Sequence, residues 1–216
     1  MKCESNISCE CSLVEHRPKL VVLTGGPGAG KTAVLELARR GFCQHILVLP
    51  ESASIVFGGG FPRSESIEGK KGSQRAIFHV QNELESVAIG ERKAAVVLCD
   101  RGTIDGLAYW PGQEEEYWRE TGSSRAREMA KYAAVFHLRT PGVSGGYNRR
   151  NPIRIESADE AVLMDQRIAE AWSGHPNRHF VESAESFLAK AACAIELIRG
   201  ELPECCRTHS VPEASE

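Results

Sequence analysis

The octapeptide Gly25-Gly26-Pro27-Gly28-Ala29-Gly30-Lys31-Thr32 lies between an apolar, β-branched run (20–25) and a stretch of helical periodicity (31–40). Few features restrict a fold more. The spacing G-x-x-x-x-G-K-[ST], after a buried strand and at the start of a helix, specifies a phosphate-binding loop. Its glycines let backbone N–H groups turn onto phosphate oxygens, and the helix N-terminus adds partial positive charge. Gly25, Gly26, Pro27, Gly28, Ala29, Gly30, Lys31 and Thr32 are therefore expected to cradle a nucleoside triphosphate, ATP or GTP. Lys31 would pair with the β- and γ-phosphates, and Thr32 would hold Mg²⁺.

Such a loop must crown a strand in a sheet, and the remaining pattern supplies one. Apolar runs at 45–50, 94–99, 133–138 and 179–182 read as four further strands. Helical periodicity marks 31–40, stopped by Gly41, then 73–89, ended by Gly90, then 158–172 and 184–199. In the second of these, Ile77, Val80, Leu84 and Val87 form an apolar stripe at 3–4 spacing. Residues 57–72 read as a surface loop, and 111–124 as an exposed stretch around one short helix. Alternating strands and helices require a parallel sheet with right-handed crossovers. The expected fold is α/β: a three-layer P-loop NTPase with a five-stranded parallel sheet, helices on both faces and an Arg-rich lid. One domain should cover 18–202, with the lid at about 139–156, between flexible tails at 1–17 and 203–216.

The composition removes several function classes. A net charge of -3 over 216 residues gives no global attraction to nucleic acid or an anionic membrane. No apolar run of 18 residues occurs, and the N-terminus lacks a signal-peptide core, so a cytoplasmic setting is expected. Of eight cysteines, Cys43, Cys99 and Cys193 read as small buried hydrophobes. Cys3, Cys9, Cys11, Cys205 and Cys206, the last two with His209 nearby, read as free thiols in loose tails; a metal site joining the tails is the alternative, although their spacings fit no common zinc pattern.

The third strand ends at Asp100, the expected second ligand of Mg²⁺. Motor and transporter ATPases usually place Glu next, to orient water; here Arg101 follows. An arginine cannot polarise water but can grip an anionic or hydroxylated acceptor. Asn-Lys-x-Asp, which would read guanine, is absent from the sequence. Arg139, Arg149, Arg150 and Arg154 form a basic loop after the fourth strand, with Gly142, Gly145 and Gly146 as hinges.

In order, GGPGAGKT, LPESA, FHVQ, LCDRGTIDGLAY and YNRRNPIRIE resemble the P-loop kinases of the nucleoside and nicotinamide riboside kinase group. Within that group the chain is most similar to an AAA-type ATP-binding subfamily, over roughly residues 19–200. The resemblance implies ATP-dependent transfer of the γ-phosphoryl group to a small hydroxylated acceptor such as a nucleoside-like metabolite. Glu51 would be the general base, with Arg101, Lys31, Arg149 and Arg154 as catalytic cations. Phe78, Gln81 and Asp105 would contact the acceptor, with an N-terminal helix cap as the alternative for Asp105; by its position in this fold, the stretch near Glu182 would border the adenine. Asp100-Arg101-Gly102 replaces the Glu-Arg-Ser of deoxynucleoside kinases, which leaves the acceptor open. A regulatory NTPase without an acceptor is the alternative. The oligomeric state is open, a homodimer included.

Overall fold

The computed structural model describes residues 16–141, 158–183 and 186–207. Five strands form one sheet: β1 (Lys19–Thr24), β2 (Ile46–Leu49), β3 (Val96–Asp100), β4 (Tyr132–Leu138) and β5 (Arg178–Val181). Their order is β2-β3-β1-β4-β5, and all four pairings are parallel. The expected α/β architecture is therefore present.

Alternation along β1 divides the core. Val21 and Leu23 face a cluster with Val34, Leu35 and Ala38 of α1 (Lys31–Gly41) and Ala194, Ile195 and Ile198 of α8 (Phe187–Glu201). Leu20 and Val22 face Phe78 of α3 (Ile67–Glu91) and Ile168 of α7 (Ala158–Ala171), with Trp172 just beyond it. Two-faced burial is what parallel crossover strands require.

The structure changes four expectations. A helix absent from the sequence reading, α2 (Ser52–Gly58), follows β2 directly. Helix α3 begins at Ile67 rather than Ser73, because the Ser66 hydroxyl caps the Gly69 N–H at 3.1 Å. It also runs through Gly90 and stops when Arg92 takes a left-handed φ of 53°. The stretch 111–124 holds the short helix expected there, α5 (Glu114–Thr121), but is not exposed throughout, since α5 buries Tyr117 and Trp118; α6 (Arg125–Lys131) follows it. Finally, Cys193 is exposed, whereas Cys206 is buried on α9 (Glu204–Arg207), inside the expected C-terminal tail.

Helix α3 is turned in a way its apolar stripe did not suggest. Its buried face carries Ser73, Gln74, Phe78, Gln81, Glu85 and Ala88. Glu85 accepts from Gln81 Nε2 at 2.9 Å and from Tyr132 Oη at 2.8 Å, and pairs with Lys131 at 2.7 Å. Tyr132 Oη in turn accepts the Thr103 N–H at 2.9 Å. This buried network, in which Gln81 Oε1 is left without a hydrogen-bond partner among the described residues, fixes the chain just after β3, where the site is built.

Candidate functional site

The chain passes from β1 to α1 through a loop that only glycine can shape at its ends. Gly25 and Gly30 have φ of 132° and 94°. A Cβ at Gly25 would lie 2.0 Å from the Leu138 carbonyl oxygen. The first turn of α1 holds no acidic residue, so its positive end is left for an anion. Lys31 Nζ donates to the loop's own carbonyls, Gly25 at 2.8 Å and Gly26 at 3.1 Å. Burial, and next the Arg101 charge, pull the Lys31 pKa down to about 7, against Asp100, Asp105 and Glu51. Thr32 is exposed on the first turn of α1.

Three residues that brace this loop, Asp165, Thr140 and Lys190, escaped sequence reasoning. Asp165 on α7 accepts the Gly26 N–H at 2.9 Å and shares a hydrogen bond with His137 Nε2 at 2.9 Å. Arg139 and Thr140 add bonds at 3.3 and 3.4 Å, and Thr140 also donates to the Pro27 carbonyl at 3.2 Å. Burial opposes the Asp165 charge, but the bonds from His137 and Gly26 hold its pKa below the usual range. Lys190 of α8 donates to the Ala29 carbonyl at 2.8 Å and to that of Arg139. The Asp165→Ala variant should lose about 3 kcal/mol of stability, since it leaves buried donors unpaired. Urea denaturation measures this directly.

The carboxylate end of the site comes from β2 and β3. Leu23 pairs with Asp100, and the Arg101 N–H donates to the Leu23 carbonyl at 3.1 Å, so Asp100 stands one strand from the loop. Asp100 Oδ1 is buried without a hydrogen-bond partner among the described residues. Burial first, then the Glu51 charge, raise the Asp100 pKa to about 6 against the pull of Lys31. A buried orphan carboxylate oxygen beside Lys31 suits a hard divalent cation, so the donor set fits Mg²⁺ held by Asp100 and Thr32.

Arg101 adopts a left-handed φ of 69°, unusual for a side chain of its size. The turn aims its guanidinium across the loop: Nε donates to Glu51 at 3.1 Å, and Nη1 to the Gly25 carbonyl at 3.3 Å and Asp105 at 3.4 Å. Glu51 precedes α2 at the N-cap position, yet its side chain makes no capping bond. Its oxygens meet Arg101 and the Ser54 hydroxyl, the latter at 2.6 Å. Burial works against its charge, but Arg101 and Ser54 outweigh burial and keep it ionised at neutral pH. Asp105 accepts from Thr24 Oγ1, the Gly102 N–H at 3.0 Å and Trp172 Nε1 at 3.1 Å. Its oxygens are thus engaged in holding the β3–α4 turn, where α4 is Gly106–Tyr109.

Beside these charges opens a cleft of about 440 Å³, with Phe78, Gln81, Asp105 and Glu51 on its wall together with Tyr109 and Tyr117. Phe78 stacks edge-on against Tyr117 at 5.9 Å. Gln81 Oε1 is buried without a partner among the described residues. Tyr109 and Tyr117, the latter on the stretch read as exposed, are parts of this wall that sequence reading did not assign to the site. Arg149 and Arg154 lie outside the described residues; Arg139 is engaged with Asp165 and stacked over Phe180 at 4.2 Å. Glu182 is exposed beyond β5. Phe187 stands over the loop, since a Cβ at Gly30 would come within 2.7 Å of its ring.

Among the described residues, no helix is long and apolar enough to cross a membrane. No curated protein matches the chain. The AAA domain family matches it over residues 20–187, from the first residues of β1 through the phosphate loop, the Asp100 strand and β5 to the start of α8. The chain belongs to the AAA domain family of P-loop nucleotide-binding proteins.

Proposed function

We propose that this protein transfers the γ-phosphoryl group of ATP, or of GTP, to the hydroxyl of a small acceptor bound in the cleft beside Glu51. The observation that carries this reading is the Glu51–Arg101 pair at 3.1 Å, at the edge of a cleft adjoining the phosphate loop. A cleft of this size suits a small metabolite. Arg101 steers an ionised Glu51 to the boundary between triphosphate and acceptor. There Glu51 accepts the acceptor hydroxyl proton as the bond to phosphorus forms and the γ-phosphorus bond to the β–γ bridging oxygen breaks, leaving the nucleoside diphosphate. Lys31 leaves its loop carbonyls for the β- and γ-oxygens. Arg101 and Lys31 then offset the charge spread over the transferring group. Asp100 and Thr32 would hold Mg²⁺, which would supply positive charge against the phosphates. Phe78 and Tyr109 offer faces for a planar acceptor, and Gln81 Oε1 offers it an acceptor atom.

A second reading, a nucleotide-binding regulator, has one observation in its favour. Leu47, Ile55, Val80, Leu84 and Val87 line a shallow apolar groove on the outer side of α2 and α3, the helices that border the cleft. A screen separates the two. Incubation of a metabolite library with Mg-ATP and the protein, read by mass spectrometry, should yield at least one hydroxylated compound heavier by one phosphate. A screen with no phosphorylated product would favour the regulator.

A further inference from the structure

At the end of the sheet opposite the phosphate loop, sulfur and imidazole donors from separate segments meet. His16 precedes β1, Cys43 and His45 lie between α1 and β2, and Cys205 and Cys206 belong to α9. Cys206 Sγ is 3.3 Å from His45 Nδ1, and Cys205 Sγ is 3.7 Å from His16 Nε2 and 3.8 Å from Cys206 Sγ. Cys43 Sγ is 3.7 Å from His45 Nδ1. One ligand atom each of His16, His45 and Cys206 lies within 4.8 Å of the others.

These spacings resemble the edges of a coordination tetrahedron. With Zn–S near 2.3 Å and Zn–N near 2.0 Å, the S–S edge is about 3.8 Å and the S–N edge about 3.5 Å. No disulfide joins these thiols, since 3.8 Å separates the sulfurs of Cys205 and Cys206. Core packing accounts for Cys43 and Cys206, which belong to the α1/α8 cluster. It does not account for two imidazoles, their centroids 4.8 Å apart, and the exposed Cys205 gathering at the same point.

We propose that His16, His45, Cys205 and Cys206 bind one zinc ion as a structural clasp, with Cys43 as a neighbouring thiol. Binding converts two thiols to thiolates and releases two protons to solvent, so the Cys₂His₂ site is neutral overall. The clasp fastens α9 and the approach to β1 onto the α1–β2 connection, remote from the nucleotide.

The test uses the full chain, stripped of metal and kept reduced with a non-chelating phosphine. Competition with a chromophoric zinc chelator should give one zinc per chain. Cobalt should give the intense visible bands of a tetrahedral ion with a thiolate charge-transfer band. His45→Ala and Cys206→Ser should each weaken zinc at least about 100-fold, since even outer-shell changes cost 10–100-fold. If either of these two misfolds, as judged by circular dichroism, His16→Ala at the rim carries the same expectation. Cys193→Ser, and the triple change Cys3→Ser, Cys9→Ser and Cys11→Ser, should retain stoichiometry and affinity. Absence of stoichiometric zinc, a weak octahedral cobalt spectrum, unchanged affinity in Cys206→Ser or His16→Ala, or loss of zinc in the triple variant would overturn the proposal.

Discussion

Alanine at Lys31 is expected to weaken triphosphate binding by about two orders of magnitude or more. Each charge-assisted hydrogen bond to phosphate contributes about 1.5–3 kcal/mol, and in the proposed complex Lys31 would reach two phosphates. In the free protein its ammonium rests on the carbonyls of Gly25 and Gly26, so a ligand must draw it away. That resting place has a pH signature. The free Lys31 pKa stands at about 7, and phosphate oxygens favour the charged form. The bound pKa is therefore higher than the free one. Above pH 7, binding takes up a proton, and affinity falls as pH rises. Asp100, at about 6, is already ionised there and adds nothing. Calorimetry at pH 8 in buffers of different ionisation enthalpy should report uptake approaching one proton per triphosphate. Buffer-independent heats would contradict this account of Lys31.

The second large effect concerns Glu51. The Glu51→Gln variant keeps the volume and a partner for Ser54, but it removes the charge that meets Arg101 and accepts a proton. Transfer should slow by about 10²–10⁴-fold, the usual range for a positioned general base. Triphosphate affinity should change by less than about threefold, because Glu51 faces the acceptor side of the loop. An equal loss in affinity and turnover would make Glu51 a support for Arg101 rather than the base.

The parts of this site differ in how far the sequence reveals them. Strands and the phosphate loop are local: apolar β-branched runs, a spacing of glycines and a lysine suffice. Asp100 is legible for the same reason, as the last residue of an apolar run. The start of α3 is less so, because Gly69 and Gly72 sit in a polar run whose helicity depends on the Ser66 cap. Its orientation is hidden altogether. Of the stripe, Val80, Leu84 and Val87 mark the outer groove and Ile77 lines the cleft, while Glu85 is buried because Tyr132 and Lys131 answer it, and Gln81 because Glu85 accepts from its amide. Asp165 illustrates the limit most sharply. It lies 139 residues from Gly26 and belongs to no motif, so only tertiary packing reveals that it carries the loop. The zinc clasp is hidden likewise, since its donors share no local spacing pattern.

The central claim is that the triphosphate is held for transfer to an acceptor and not for hydrolysis. The destination of a labelled γ-phosphoryl group tests it most directly. With Mg²⁺, γ-labelled ATP and a mixture of hydroxylated metabolites, the wild-type protein should place most of the label on an organic acceptor. Glu51→Gln should nearly abolish that product while still binding ATP. Label recovered only as inorganic phosphate, at a rate unchanged in Glu51→Gln, would contradict the claim.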